Sequence, residues 1–289
     1  MLGFGEAARA FVSGWRASDA IGATAPISTY DIKHEDQSQR AELLDACRSL
    51  GVDCAGNLRQ ALAGRAAVFS LVTADRALEA AQSAAAAIER DCFYLDCNSC
   101  SPSTKNAAAE LINSAGGRYV DIAVMAPVHP RRHRTPMLIS GSDGMHAHAL
   151  LGELDMSAEV AGDAIGQASA IKMLRSVMVK GLEALTAECM LAARRAGVEQ
   201  AVLASLQASD PGFDWAARSA YNLERMMVHG ARRAAEMDEV AATLRDLGLP
   251  DRMASATAQW QRQIAGLALS AEEPLLAGRA DRILERLGS

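Results

Sequence analysis

Along the first half of the chain, short apolar runs alternate with longer segments of helical period. The runs Ile27–Ile32, Val52–Ala55, Ala66–Val72, Cys92–Leu95, Arg118–Met125 and Pro136–Ser140 read as strands. Between them, Gln39–Leu50, Leu58–Ala63, Arg76–Arg90 and Ser103–Ala115 carry the three-to-four-residue repeat of helices. Such alternation predicts a mostly parallel sheet covered by helices. Ser157–Gly162 reads as a last strand. From Asp163 onward the pattern is helical, punctuated at Gly197, Asp210-Pro211-Gly212, Gly248-Leu249-Pro250 and Glu273-Pro274. The chain therefore divides into an α/β domain over 1–162 and an all-α domain over 163–289.

The stretch Gly166–Leu185 stands at the junction. It lacks proline, and its apolar residues recur all the way round, which predicts a long, largely buried helix joining the domains. Lys172 and Arg175 interrupt that surface on one face, three residues apart. Buried cations need a partner, either a protein carboxylate or an anionic ligand. Domain junctions commonly form ligand clefts.

The chain opens MLGFGEAARAF, in which Gly3, Gly5 and Ala8 form G-x-G-x-x-A. The first glycine permits a tight turn and the second lets backbone approach a pyrophosphate. The small third residue lets helix and strand pack closely. Asp31, about 26 residues past these glycines, stands where a ribose-binding carboxylate belongs; a strand-end turn is the alternative. Asp31 favours NAD, whereas Lys33 and His34 favour the 2′-phosphate of NADP. Only Met1 and Leu2 precede Gly3. A first strand this short is expected to leave neighbouring edges unpaired and to impair cofactor binding.

Other loops carry candidate chemistry. Asp96–Pro102 (DCNSCSP) follows a strand, and its Asn98, Ser99 and Ser101 suit recognition of a hydroxyl or carboxylate, or capping of the next helix. Cys97 and Cys100 form C-x-x-C without a second ligand pair, which favours buried thiols over a metal or redox site. His129–Arg134 (HPRRHR) reads as a solvated loop or subunit contact, with a cationic lip for an anionic substrate as the alternative. In Phe213–Leu247, Arg218, Arg225, Arg232 and Arg233 are expected to pair with Glu224, Glu236 and Asp238 at helical spacings.

Composition narrows the class. The 289 residues are 50% apolar but only 4% aromatic, so the cores are aliphatic and alanine-rich. A net charge of -6 gives no global attraction to nucleic acid. No apolar run is long enough for a membrane span and no signal peptide is visible, so a cytoplasmic protein is expected. Six irregularly placed cysteines fit a reducing compartment. The methionine-bearing helices of the second half suggest a homodimer.

Taken together these residues resemble the β-hydroxyacid dehydrogenase family, which includes 3-hydroxyisobutyrate and 6-phosphogluconate dehydrogenases. The resemblance spans nearly the whole chain. It rests on Gly3-x-Gly5-x-x-Ala8, on Asp96–Pro102 for D-x-S-T-x-x-P, in part on Val120–Ala126 for L-D-A-P-V-S-G, and on Gly166 with Lys172, across a longer gap than the family's, for G-x-x-x-K-x-x-N-N. The family's two asparagines are replaced by Arg175 and Ser176, its serine-glycine pair by Met125 and Ala126, and its C-terminal lysine-aspartate pair by His229 and Gly230. The pattern is more like a divergent bacterial branch.

The resemblance implies a Rossmann-type NAD(P)-binding domain, an interdomain helix and an all-helical substrate and dimerisation domain. It implies hydride transfer between NAD or NADP and a small anionic β-hydroxy acid or its oxo form. Lys172 is the implied general acid/base, with Asn98, Ser99, Arg175, Ser176 and Met125 around the substrate. Gly3, Phe4, Gly5, Glu6, Ala7, Asp31, Lys33, Val72, Thr73 and His229 are the implied cofactor residues. An imine-type reductase on the same scaffold, or a nucleotide-binding protein without catalysis, are the alternatives.

Overall fold

The computed structural model describes residues 1–18 and 26–287. The chain divides into two compact units, Met1–Met173 and Leu174–Ser289. The division falls inside a helix, later than the strand end at residue 162. The cause is local, because that helix is bonded into the sheet through its first turn. Ala168 N–H donates to Ser140 Oγ at 3.0 Å, and Ser169 N–H donates to Asp121 Oδ2 at 3.0 Å.

The first unit is a Rossmann-type α/β structure. Helices α1 (Glu6–Ser18), α2 (Gln37–Ser49), α3 (Leu58–Leu62), α4 (Ala77–Ala85), α5 (Pro102–Ser114) and α6 (Gly144–Glu153) are interleaved with strands. The strands are β1 (Ser28–Thr29), β2 (Asp53–Cys54), β3 (Ala67–Ser70), β4 (Phe93–Asp96), β5 (Arg118–Val124), β6 (Met137–Ser140) and β7 (Ala158–Gly162). Strands β3 to β7 lie side by side in that order, and β1 pairs with β2. Every neighbouring pair is parallel except β5 and β6. Residues 125–136 join those two without a crossover helix, and a parallel pair needs one.

Residues Met1–Gly3 close the sheet. Leu2 N–H donates to Phe69 O and Leu2 O accepts from Leu71 N–H, both at 2.8 Å. On the other side Gly3 N–H donates to Tyr30 O at 2.9 Å, and Tyr30 N–H donates to Met1 O at 3.0 Å. Three residues thus serve as a central strand between β1 and β3. The unpaired edges expected from so short a lead-in do not arise at these positions.

Side chains alternate across the sheet with the period of two that strands impose. Phe69, Leu95, Val120 and Ile122 pack with Phe11 and Trp15 of α1, Leu43 of α2 and Leu151 of α6. Val68, Tyr94 and Tyr119 pack on the opposite face with Leu62 of α3, Ala81 of α4 and Ala108 and Ile112 of α5. Burial on both faces is what a parallel sheet requires.

Helix α6 was not among the expected elements; its end glycines and two histidines weaken the helical period. Helix α4 stops short of the expected Arg90, and the chain then turns to reach Asp91 at φ 65°. Strand β1 is shorter than Ile27–Ile32 because Asp31 caps a 3-10 turn over Ile32–His34.

The long helix α7 (Gln167–Arg195) continues into the second unit, which adds α8 (Glu199–Ser209), α9 (Trp215–Asp246), α10 (Arg252–Gly266) and α11 (Leu276–Leu287). Met190, Leu191, Leu223, Met226, Ile264 and Ile283 form its apolar core. Helices α9 and α10 approach closely at Gly230, where a Cβ would lie 2.6 Å from Gln261 O. The arginine pairing differs from expectation. Arg232 reaches Glu236 on its own helix, but Arg233 pairs with Glu183 of α7, and Asp238 pairs with Arg262 of α10. Arg218 and Arg225 lie near the Tyr221 ring. Helix α7 is not buried all round: Ile171, Leu174, Met178, Leu182 and Leu185 are exposed along one stripe. Among the described residues no helix is long and apolar enough to cross a membrane.

Candidate active site

The candidate site is built at the C-terminal ends of the central strands, where Met1–Gly3 separates β1 from β3. This is the point at which strand order reverses, and open α/β sheets bind ligands there. Gly3 sits at φ +80°, and a Cβ on it would lie 2.5 Å from Leu71 O. Glycine is required on both counts. Nothing lies within 4 Å of a Cβ built on Gly5, so backbone is open there. Helix α1 begins at Glu6, and the first-turn N–H groups of a helix have no intrahelical acceptor. That arrangement suits an anion.

Asp31 braces this turn. One carboxylate oxygen accepts from Phe4 N–H at 2.7 Å and the other from Lys33 N–H at 3.0 Å. Asp31 thus caps a turn and stands beside the glycines. The Phe4 side chain is buried in the core, so only its backbone faces this turn. Lys33 and Glu6 are exposed, and Ala7 is half-buried.

A chain of bonds leads from the glycine turn to Lys172. Leu71, against Gly3, is followed by Val72, whose N–H donates to Asn98 Oδ1 at 2.7 Å. Asn98 Nδ2 donates to Ser70 Oγ at 2.9 Å. Asn98 is buried and bonds its amide to these protein groups, which fixes the loop. The next residue, Ser99, accepts from Lys172 Nζ at 2.5 Å. Thr73 is exposed at the end of the β3 loop. Met125 is half-buried, its N–H bonded to Pro136 O at 2.9 Å.

Three implied residues belong to the second unit. Arg175 is exposed on α7; Ser176 is buried and accepts from Lys180 Nζ at 3.3 Å; His229 is half-buried on α9. The structure of the first unit brings together Gly3, Phe4, Gly5, Asp31, Val72, Asn98, Ser99 and Lys172.

Two other features resolve as structural. Cys97 and Cys100 are buried, and burial pushes the Cys97 thiol up to about 12, which keeps it protonated. In the HPRRHR loop, His133 is buried, and both His133 and Arg134 bond to Asp155. The loop is thereby fastened beside β7, with Arg131 and Arg132 exposed.

Known proteins share this fold. The model of a domain of unknown function, DUF1932, matches residues 193–264. A crystal structure of a conserved hypothetical protein from Sinorhizobium meliloti 1021 is 34% identical, covering 99% of this chain and 95% of that one with a TM-score of 0.73. A second conserved protein of unknown function, described as structurally similar to 3-hydroxyacid dehydrogenases, is 29% identical over 93% of this chain and 98% of its own, with a TM-score of 0.66.

The chain belongs to the β-hydroxyacid dehydrogenase family.

Its scaffold extends to distant relatives. The 3-hydroxyisobutyrate dehydrogenase of Mycobacterium tuberculosis, solved with L-serine, shares 15% identity over 98% of this chain and 97% of its own at a TM-score of 0.68. At that identity the likeness shows the fold. Within the β-hydroxyacid dehydrogenase family, this chain departs at the buried loop residue Asn98 and at Arg175, Ser176 and Met125. Sequence reasoning missed one group altogether, the buried Lys105 of α5, which contacts Asp96 and Asp121 at 3.0 and 3.4 Å. Its signal was available: Lys105 shares a helix face with Ala108, Ala109 and Ile112, which mark the buried stripe.

Proposed function

We propose that this protein is an NAD(P)-dependent oxidoreductase acting on a small β-hydroxy acid or its oxo form, with Lys172 as general acid/base. The observation that carries the reading is the Lys172 Nζ–Ser99 Oγ contact of 2.5 Å at the strand ends, linked to the glycine turn through Asn98 and Val72. The residues fit a nicotinamide dinucleotide. Gly3 and Gly5 leave room for a pyrophosphate beside the α1 N-terminus, and Asp31 stands at the ribose position. When bound, the nicotinamide supplies the hydride acceptor or donor.

The chain supplies the proton chemistry. In oxidation, Lys172 as a neutral amine takes the hydroxyl proton while the carbon loses its hydride, leaving a carbonyl and an ammonium. In reduction the ammonium returns that proton to the carbonyl oxygen. Ser99 Oγ holds the lysine side chain for either direction, and a lysine is able to do both because its protonation responds to its surroundings. The six free cysteines support a reducing compartment such as the cytoplasm.

The test is consumption or production of NAD(P)H over a panel of small 3-hydroxy and 3-oxo acids, with nucleotide binding followed by fluorescence. Turnover on at least one acid is expected. Micromolar nucleotide binding without turnover across the panel refutes the enzyme reading, and turnover confined to imines moves the chemistry to another bond. The cofactor cradle has its own check. Gly3→Ala places a Cβ against Leu71 O at a left-handed φ, which costs about 1–2 kcal/mol before the clash is counted. Nucleotide affinity is expected to fall by about tenfold or more, since 1.4 kcal/mol is a factor of ten.

The second unit is the dimerisation domain in this reading. Leu174, Met178, Leu182 and Leu185 recur at three- and four-residue spacing and are 43%, 65%, 41% and 58% exposed. A contiguous exposed apolar stripe marks an interaction surface. Light scattering is expected to give a dimer for the wild type and a monomer for Met178→Glu/Leu182→Glu. A wild-type monomer at micromolar concentration refutes it.

A further inference from the structure

A row of buried polar side chains crosses the sheet beneath the candidate site. Ser70 of β3 is in register with Asp96 of β4, Asp96 with Asp121 of β5, and Asp121 with Ser140 of β6. All four are essentially inaccessible to solvent. Two carboxylates at one level of an apolar sheet repel each other and lose hydration, so they need a cation. Lys105, with 0% exposure, supplies it from α5. Its Nζ lies 3.0 Å from Asp96 Oδ1 and 3.4 Å from Asp121 Oδ1, and it donates to Asp96 O at 2.7 Å. Burial alone would lower the ammonium's pKa, but Asp96 and Asp121 outweigh it and hold the pKa above the usual lysine range.

The remaining valences of the row go to the two segments that carry Ser99 and Lys172. Asp96 Oδ1 accepts from Asn98 N–H at 3.0 Å, and Asp96 Oδ2 accepts from the Tyr119 hydroxyl at 2.7 Å. Asn98 in turn donates to Ser70 Oγ, which pins the loop immediately before Ser99. On the other side, Asp121 Oδ1 accepts from Ser169 Oγ at 2.6 Å and Asp121 Oδ2 from Ser169 N–H at 3.0 Å. Ser140 Oγ donates to Asp121 Oδ2 at 3.1 Å and accepts from Ala168 N–H at 3.0 Å. Ser169 lies three residues before Lys172 on α7, on the same helix face. The loop that presents Ser99 and the helix turn that presents Lys172 are therefore anchored to one ion cluster, in which Lys105 is the cation that bridges both carboxylates.

We infer that Lys105 is a positioning residue, holding Ser99 and Lys172 in register through Asp96 and Asp121. Its effect passes through the Asp96–Asn98 turn on one side and the Asp121–Ser169 bonds on the other. The inference rests on the reading of Lys172 and Ser99 as the reacting pair, but its test does not depend on that reading.

The chain has four lysines, Lys33, Lys105, Lys172 and Lys180. Lys105 and Lys180 are buried, Lys172 is half-buried and Lys33 is exposed. Reductive methylation of the folded protein by formaldehyde and cyanoborohydride, read by peptide mass spectrometry, gives the rate at Lys172 relative to Lys33. Two variants are compared with wild type. Ser169→Ala removes one bond from α7 to Asp121 and suits a helix. Lys105→Met/Asp121→Asn removes the cation while returning the cluster to its original net charge. Each is checked for folding by thermal melting.

The Lys172-to-Lys33 rate ratio is expected to rise at least about threefold in both, because a side chain held by its supporting shell gains freedom when that shell is cut. A smaller change in folded Ser169→Ala overturns the inference. If the double variant does not fold, Ser169→Ala decides alone. If the ratio rises in the variants but Lys172→Ala keeps full turnover, the positioning stands and the catalytic reading falls. If the ratio is unmoved while Lys172→Ala is inactive, the reverse holds.

Discussion

Lys172→Ala is expected to lower kcat/KM by about 10²–10⁴-fold on whichever hydroxy acid proves to be a substrate, the range that a positioned proton-transfer group contributes. The loss belongs in kcat if the lysine acts on the transition state, and in KM if it only binds the substrate's charge. Nicotinamide nucleotide affinity is expected to stay within about twofold, since the proposed phosphate and ribose positions are built from the glycine turn and Asp31. Lys172→Arg separates the two roles. It keeps a cation, but guanidinium does not deprotonate in proteins, so it restores binding without restoring proton transfer. An arginine variant as active as wild type would show that the position needs charge alone. Ser99→Ala is a milder probe: the lysine stays but loses the hydroxyl it is held on, so a smaller loss, confined to kcat, is expected. Wild-type rates in Lys172→Ala would remove the lysine from the chemistry altogether.

The sequence revealed some of this clearly, for physical reasons. Gly3 was legible because a left-handed φ and a close backbone approach leave glycine as the residue that fits. The sheet was legible because burial on both faces turns strands into short apolar runs. Hydrogen-bond partners were less legible. Nothing in MLG indicates that three residues suffice for a central strand, because the bonds that make Leu2 a strand come from Phe69, Leu71 and Tyr30, far along the chain. The antiparallel β6 was hidden for a related reason, since direction depends on the connection rather than on the run itself.

Burial of charge was the hardest part to read. Lys105 follows Pro102 and Ser103 at the start of α5, where a lysine normally meets solvent, and it is buried because two carboxylates from neighbouring strands converge on it. Helix α7 misled in the opposite direction. Its apolar residues recur all round, which reads as a core helix, yet the stripe from Ile171 to Leu185 is exposed. Periodicity locates apolar faces but does not say whether a face meets its own chain.

Glu183→Ala is expected to produce the largest loss of stability, about 3–5 kcal/mol, the range for breaking a buried ion pair from one side. Glu183 is 3% exposed on α7. It accepts from Arg233 Nε of α9 at 2.8 Å, from a second Arg233 nitrogen, and from Gln261 Nε2 of α10 at 2.8 Å. One carboxylate therefore ties three helices of the second unit together. Removing it leaves a guanidinium and an amide in an interior where Gly230 has brought α9 within van der Waals reach of Gln261, so little water can replace the lost acceptor. Melting of the second unit, followed at Trp215 and Trp260, should move to lower temperature while the first unit is unaffected. The control is Glu183→Met/Arg233→Met, which removes both charges and fills their volume. If the single variant fails because Arg233 is stranded, the double variant should recover most of the loss. A double variant no more stable than Glu183→Ala would instead place the cost in packing around the pair, and the carboxylate would lose its standing as the tie between α7, α9 and α10.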